Sequence, residues 1–207
     1  MKAFFSIISA VFLMATSAQA DVVPPDELIK TTVQDVISII KQDKDIQAGN
    51  HKKVLELVDA KILPHFDFER MTQLAVGKNW NDKKVTVVQK QALVREFRNM
   101  LVRTYTTAFT VYRDQTVEVK PFKMAADAAN ATVKTAIVKS GGRPVLVDYK
   151  MAKTPNGWKA FDVLIDGVSM VMSYRGTFDT QIQQGGIDGL IKTLSDRNTA
   201  SQKPGSK

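Results

Sequence analysis

The sequence predicts an α+β fold containing a four-stranded antiparallel sheet, and two changes of period carry that reading. Apolar residues recur at helical spacing from about Pro24 to Arg113. They alternate with polar residues from about Gln115 to Asp166, and helical spacing returns from Gly167. Runs of helices set apart from a run of strands indicate α+β architecture rather than βαβ winding. The composition agrees: 44% of the 207 residues are hydrophobic and 24% are charged. That balance excludes disorder or a collagen-like chain as the main description. A domain of this length buries enough surface to build a core and even to hold a cavity.

Each element has its own signal. Pro24 and Pro25, followed by Asp26 and Glu27, suit a helix start. Leu28, Val33, Val36, Ile37 and Ile40 then make an apolar stripe, and Gly49-Asn50 is a stop. A second helix carries Val54, Leu55, Val58 and Ile62 and closes at Pro64. A third begins near Asp67 and runs through Met71, Leu74 and Ala75 to Gly77. A long fourth helix spans about Thr86 to Tyr112, with Leu93, Phe97, Leu101, Tyr105, Phe109 and Tyr112 on one face.

Four alternating runs follow: Thr116–Lys120, Ala131–Lys139, Arg143–Met151 and Trp158–Ile165. Asn130, Gly141-Gly142 and Pro155-Asn156-Gly157 supply the turns between them. In the third run Val145, Val147, Tyr149 and Met151 share a face. In the fourth, Phe161, Val163 and Ile165 face one way and Trp158, Ala160, Asp162 and Leu164 the other. After Gly167, the residues Val168, Val171, Met172, Tyr174, Phe178 and Ile182 fit one helical face. Gly185-Gly186 breaks it, and Ile187, Leu190, Ile191 and Leu194 make a last short helix.

The termini read differently. Lys2, the apolar run Ala3–Ala15 and the small residues Ala18 and Ala20 form a secretory signal peptide over residues 1–20, cut before Asp21. The run falls short of the ~20 apolar residues that span a bilayer. One domain is expected over residues 21–198 and a flexible polar tail over 199–207.

The net charge of +8 is uneven. Between Arg113 and Lys159, the bases Arg113, Lys120, Lys123, Lys134, Lys139, Arg143, Lys150, Lys153 and Lys159 outweigh Asp114, Glu118, Asp127 and Asp148. Such a stretch is either a solvated strand face with lysines that discourage edge pairing or a contact surface for an anionic membrane or acidic protein. Export argues against nucleic acid as the partner.

Catalytic patterns are weak. There is no cysteine, hence no thiolate nucleophile, disulfide or Cys-based zinc site. His51 and His65 share no metal-ligand spacing with acids. Asp162 and Asp166 are a pair of carboxylates open to acid–base work. The simpler reading makes Asp166-Gly167 the turn from strand to helix. Ser169 lacks the second glycine of a nucleophile elbow, and Gly185-Gly186 lacks the lysine of a phosphate loop. No catalytic residue, metal or cofactor is expected. What remains is a surplus of apolar surface, which periodicity alone cannot assign to a filled core or to a ligand slot.

One long stretch is more specific. Trp158-Lys159-Ala160-Phe161-Asp162-Val163-Leu164-Ile165-Asp166-Gly167-Val168-Ser169-Met170-Val171, followed by Ser173-Tyr174-Arg175-Gly176-Thr177-Phe178, resembles the signature of the MlaC family, also called the toluene-tolerance family. Phe66-Asp67-Phe68, Met71, Gly77, Trp80, Phe97, Leu101 and Thr104-Tyr105 support the resemblance, which covers nearly the whole mature chain. Ser173, where the family often has Asn, and Lys78-Asn79 before Trp80 depart mildly. The resemblance implies a periplasmic phospholipid carrier, without enzyme activity, in an Mla-type ABC transport system that maintains outer-membrane lipid asymmetry. It implies a strongly curved sheet cupped by helices around an apolar pocket that holds acyl tails, with phospholipid as cargo rather than cofactor.

On that basis the pocket wall is expected from Phe97, Leu101, Tyr105 and Phe109 of the long helix. The strands would add Val145, Val147, Tyr149, Phe161, Val163 and Ile165, and the C-terminal helix Val168, Val171, Tyr174 and Phe178. Arg143, Lys150, Lys153, Lys159 and Arg175 are candidates for docking the two partners that the family implies. These are an inner-membrane ABC transporter complex with its substrate-binding ring and an outer-membrane lipoprotein–porin complex. Two other readings compete: a small exported enzyme using Asp162 and Asp166, and a structural adaptor that docks through its basic face.

Overall fold

The structure, a computed structural model, describes residues 22–110, 115–139 and 141–200, without the side chains of 107–110. The expected signal peptide, Tyr112, the side chain of Phe109 and residues 201–207 of the expected tail lie outside the described residues.

The first helix, α1 (Pro25–Gln42), starts where the prolines and acids place it and buries Pro25, Ile29, Val36 and Ile40. It does not run on to Gly49. The Asp43 carboxylate accepts the N–H groups of Asp45 and Ile46 at 2.9 and 3.2 Å, which opens a separate short helix, α2 (Lys44–Gln47). Asn50 caps α3 (His51–Lys61) in the same way through the N–H of Lys53. A 3-10 turn, Leu63–His65, then leads to α4 (Phe68–Val76), capped by Asp67 through the N–H of Arg70 at 2.9 Å. A reciprocal box between Thr86 and Gln89 opens the long helix α5 (Val87–Thr110).

The sheet has five strands, not the four expected: β1 (Thr116–Val119), β2 (Asn130–Val138), β3 (Val145–Thr154), β4 (Gly157–Ile165) and β5 (Val168–Ser169). They are antiparallel and lie in sequence order. The fifth strand corrects the expectation that helix resumes at Gly167. Ile165 pairs with Val168 and Leu164 with Ser169, so Asp166-Gly167 is a two-residue hairpin loop. Both residues have positive φ, 47° and 84°, as the favoured hairpin turn requires. A 3-10 turn at Met172–Tyr174 follows, and only then α6 (Arg175–Ala200). The expected break is present within α6: Gly186 has φ 67° and ψ −171°.

A second correction concerns β4. Lys150 pairs with Asp162 but Met151 pairs with Ala160, which leaves Phe161 as an extra residue. This bulge reverses the alternation. Trp158 and Ala160 therefore share a face with Val163 and Ile165, and Phe161 instead sits under the guanidinium of Arg70 on α4, 3.7 Å from the ring centre.

Among the described residues the buried ones form three apolar clusters. One joins α4, α5, Val171 and α6 through Met71, Ala75, Trp80, Leu93, Phe97, Leu101, Phe178, Leu190 and Leu194. A second joins α1, α2 and α3 through Val36, Ile40, Ile46, Val54, Leu57 and Val58. A third packs Ile29 of α1 on the sheet residues Val133, Met151, Trp158 and Ala160.

One glycine fixes how α4 meets α6. Gly77 ends α4 with φ 65°, and a Cβ there would stand 2.8 Å from one Arg175 guanidinium nitrogen and 2.9 Å from Nε. Gly77→Ala is expected to lower stability by about 1–3 kcal/mol in urea denaturation. Adding Arg175→Ala should recover only the part due to the clash, because the positive φ remains.

Candidate functional site

The structure gathers the expected pocket residues into two groups. On the helical side, Phe97 and Leu101 of α5 meet Val171, Tyr174 and Phe178 in one cluster, with Tyr105 packed against it. Phe97 stands edge-on to Tyr174 and to Phe178, with ring centres 5.4 and 5.2 Å apart. Tyr105 and Tyr174 share a side-chain hydrogen bond. Burial first, and then this neighbour, holds the Tyr105 hydroxyl above its ordinary pKa.

On the sheet side, register places Val163 beside Tyr149, Ile165 beside Val147, and Val145 one step further along the same face. Val147 and Val163 are buried, and Tyr149 packs against the sheet cluster. Val145 and Val168 stand at the exposed corner of the sheet.

Several apolar groups outside the expected pocket wall lie beside it. Leu28, Ile29 and Val33 of α1 lie on the sheet, together with Val133, Met151, Trp158 and Ala160. The α1 stripe was legible, but its partner was not. Phe66 packs against both the helical and the sheet clusters. Its backbone forms an isolated parallel bridge to Ala160, and the Asp67 N–H donates to the Ala160 carbonyl at 2.9 Å.

Among the described residues the three clusters meet one another in pairs. α1 joins the second to the third, α5 joins the first to the second through Val102, and Phe66 joins the first to the third. Val33, Ile62, Leu63, Phe66, Val102, Tyr105 and Tyr149 are half-buried residues at the margins of these clusters. Two concavities lie elsewhere on the described surface. One, of about 400 Å³, is lined by Pro121, Phe122, Lys123, Met124 and their neighbours on β2. The other, of about 440 Å³, is lined by Ile39, Gln42, Asp43, Lys44, Asp45 and Lys53. Neither touches an expected pocket residue.

The two carboxylates considered for acid–base work are both engaged in holding backbone. Asp162 is buried. It accepts Ser169 Oγ at 2.9 and 2.8 Å and the Val171 N–H at 3.3 Å, with Lys150 Nζ at 3.7 Å. Asp166 accepts the Leu146 N–H at 3.1 Å and pairs with Arg143 at 3.0 Å. These contacts fasten the β4–β5 hairpin to the sheet and to the start of the C-terminal segment. Among the described residues no group of three or more His, Asp or Glu could hold a metal ion.

The basic candidates are spread widely. Lys159 donates to the Pro64 carbonyl at 2.8 Å, and Arg175 lies against Gly77. Lys153 is exposed near the end of β3. Lys159 also acts on His65: burial, and then this lysine, lowers the imidazole pKa. No described helix is long and apolar enough to cross a membrane.

Comparison with known proteins gives this geometry a context. The profile of the MlaC protein family matches residues 30–196. The toluene tolerance protein ttg2D of Pseudomonas putida is 23% identical over 91% of this chain and 84% of its own length. The intermembrane phospholipid transport system binding protein MlaC of Haemophilus influenzae is 25% identical over 98% of this chain and 95% of its own. Among solved structures, a phospholipid-binding protein from Ralstonia solanacearum, in complex with a phospholipid, is 40% identical. It superposes with a TM-score of 0.78, covering 86% of this chain and 98% of that one.

Tyr149 offers a test of the sheet side. The residue is half-buried, and burial raises its pKa above the ordinary 10.0 against the lowering effect of a hydrogen bond with Thr135. Below pH 10 both the folded and the unfolded chain hold the proton, and the contribution is complete. Above it the unfolded chain ionises first, so stability falls as pH rises through the folded value. Urea midpoints measured from pH 8 to 11 should decline above about pH 10, and Tyr149→Phe should flatten that decline.

Proposed function

The chain belongs to the MlaC family, and from that premise we propose that it is a phospholipid carrier of the periplasm. It takes glycerophospholipid between outer- and inner-membrane complexes of an Mla-type ABC transport system and so maintains outer-membrane lipid asymmetry. The observation that carries this reading is the phospholipid-bound relative, similar over nearly its whole length. Half-buried apolar side chains where the three described clusters meet, Phe66, Val102, Tyr105 and Tyr149 among them, are compatible with it from within the molecule.

The acyl tails lie in the interior bordered by these clusters. Tyr105, Val147, Tyr149, Val163 and Ile165 contribute to the wall together with Val33, Leu63, Phe66 and Val102. Phe97, Leu101, Val171 and Phe178 back the wall from behind, and Tyr174 joins it through Tyr105. A lipid interior of this kind is a physical necessity for a carrier. Each exposed CH₂ costs about 0.8 kcal/mol in water, and a two-tailed lipid has on the order of 30 of them, so free transfer costs on the order of 20 kcal/mol or more. Replacing water by aliphatic and aromatic side chains removes most of that barrier. A headgroup left in solvent needs few specific contacts, which makes the carrier tolerant of headgroup type. Residues 1–20 serve as a signal peptide for export, and Asp162 and Asp166 shape the fold rather than perform chemistry.

The test is lipid identification on the native protein. Protein purified from periplasm should carry about one phospholipid in native mass spectrometry, the loading expected of one carrier pocket. Val163→Trp, which fills the proposed interior, should cut that loading several-fold while the protein still melts cooperatively. In a filled core the same change would cost about 1–3 kcal/mol of overpacking and leave no cargo to lose. Lipid-free protein that takes up nothing from vesicles would end the carrier reading.

A further inference from the structure

We propose that the corner of the sheet formed by the β2–β3 and β4–β5 hairpins docks directly on an anionic phospholipid bilayer. The inference rests on the carrier reading and adds the surface at which the protein meets lipid.

The corner exposes aliphatic surface that the fold does not use. Val145 is 37% exposed, Leu146 51%, Val168 65% and Met172 40%. Register keeps these residues together. Leu146 and Asp166 exchange hydrogen bonds, the Asp166 N–H to the Leu146 carbonyl at 2.8 Å and the Leu146 N–H to the Asp166 carboxylate at 3.1 Å. Val168 lies across from Ile165, which lies across from Val147. The Met172 N–H donates to Ser169 Oγ at 2.9 Å, which holds Met172 against β5. A contiguous apolar patch rimmed by polar groups marks a contact site on a soluble protein.

The charges at the corner say what it meets. Arg143, with a side chain 80% exposed, stands at the tip and pairs with Asp166 at 3.0 Å. Lys139 enters the same hairpin from β2. Of the other nearby carboxylates, Asp148 lies across from Lys134 in register and Asp162 is buried beside Lys150. At the tip Arg143 and Lys139 face one exposed carboxylate, Asp166, which leaves the edge of the patch net positive, and a cationic edge beside aliphatic side chains complements an anionic lipid surface. The exposed side chains also lie on both faces of the sheet. Val145 and Val168 share the inner face with Val147 and Ile165, and Leu146 points the other way. A wedge of that shape is accommodated by fluid lipid from both sides, whereas a protein partner needs a matching cleft. Asp166 acquires a role here: its contacts to Leu146 and Arg143 lock the two hairpin tips into one rigid edge.

The test uses the purified full chain and sedimentation with vesicles of phosphatidylglycerol and phosphatidylethanolamine, with pure phosphatidylcholine as the neutral control. Wild type should sediment with the anionic vesicles and much less with the neutral ones, and high salt should weaken the association. Leu146→Asp with Val168→Asp should reduce bound protein about tenfold. The milder pair Leu146→Ser with Val168→Thr should reduce it in the same direction if the first pair folds poorly. Bound lipid is measured on the same samples. Cargo retained together with weakened vesicle binding supports the docking corner. Wild type that carries cargo but ignores every vesicle overturns it and leaves the carrier reading intact, as does vesicle binding unchanged in the variants. A variant that binds vesicles as well as wild type but fails to transfer lipid in cells would assign the corner to a protein partner and overturn the proposal.

Discussion

The register of β4 against its neighbours governs the rest of the molecule. Because Phe161 is extra, Trp158 and Ala160 turn toward α1, and Val163 and Ile165 continue that face toward the exposed corner. The same strand accepts the Asp67 N–H at Ala160, which sets where α4 begins. Its buried Asp162 then binds Ser169 and Val171, which sets where the C-terminal segment leaves the sheet. A slip of one residue would turn the apolar face outward and leave Asp162 without these partners. Sheet, α4 and α6 are thus positioned from one strand.

Among the described residues one buried side-chain oxygen, Gln181 Oε1 on α6, lacks a hydrogen-bond partner, and the larger buried polar groups are satisfied. Asn198 near the end of α6 donates to the carbonyl and the carboxylate of Glu96 on α5 at 2.9 and 3.0 Å, and Arg95 pairs with the same carboxylate. Arg103 donates to the Asn198 carbonyl. This network ties the end of α6 to α5. The cost of leaving a buried charge unpaired explains why such groups cluster there. The borders between the three apolar clusters hold aliphatic and aromatic side chains, with the tyrosines presenting their hydroxyls to Thr135 or to each other.

Much of this was legible in the sequence. Helix starts announced themselves through Pro25 and Asp67, and stops through Gly77 and Gly186, because caps and positive φ demand particular residues. The strands announced themselves through alternation and turn residues. The family was legible in Trp158–Val171 and Tyr174–Phe178. The bulge was not legible, since an extra residue in a strand leaves no mark on composition. The hairpin at Asp166-Gly167 was available to be read: Asp-Gly between apolar runs is a strong hairpin signal, outweighed by the helical spacing of Val171, Tyr174 and Phe178. A stripe shows which face of a helix is apolar but not what covers it, so the pairing of α1 with the sheet escaped notice. The expected wall consequently mixed interior residues such as Val163 with corner residues such as Val168.

The central claim is that hydrocarbon lies between the sheet and its helices. Its most direct measurement uses the two tryptophans, Trp158 on the inner face of the sheet and Trp80 in the helical cluster. In a Trp80→Phe protein loaded with phospholipid brominated along its acyl chain, the fluorescence of Trp158 should be strongly quenched, and the quenching should vary with bromine position. Equal, weak quenching at every position, with the lipid shown to be bound, would place the tails outside the fold and contradict the account.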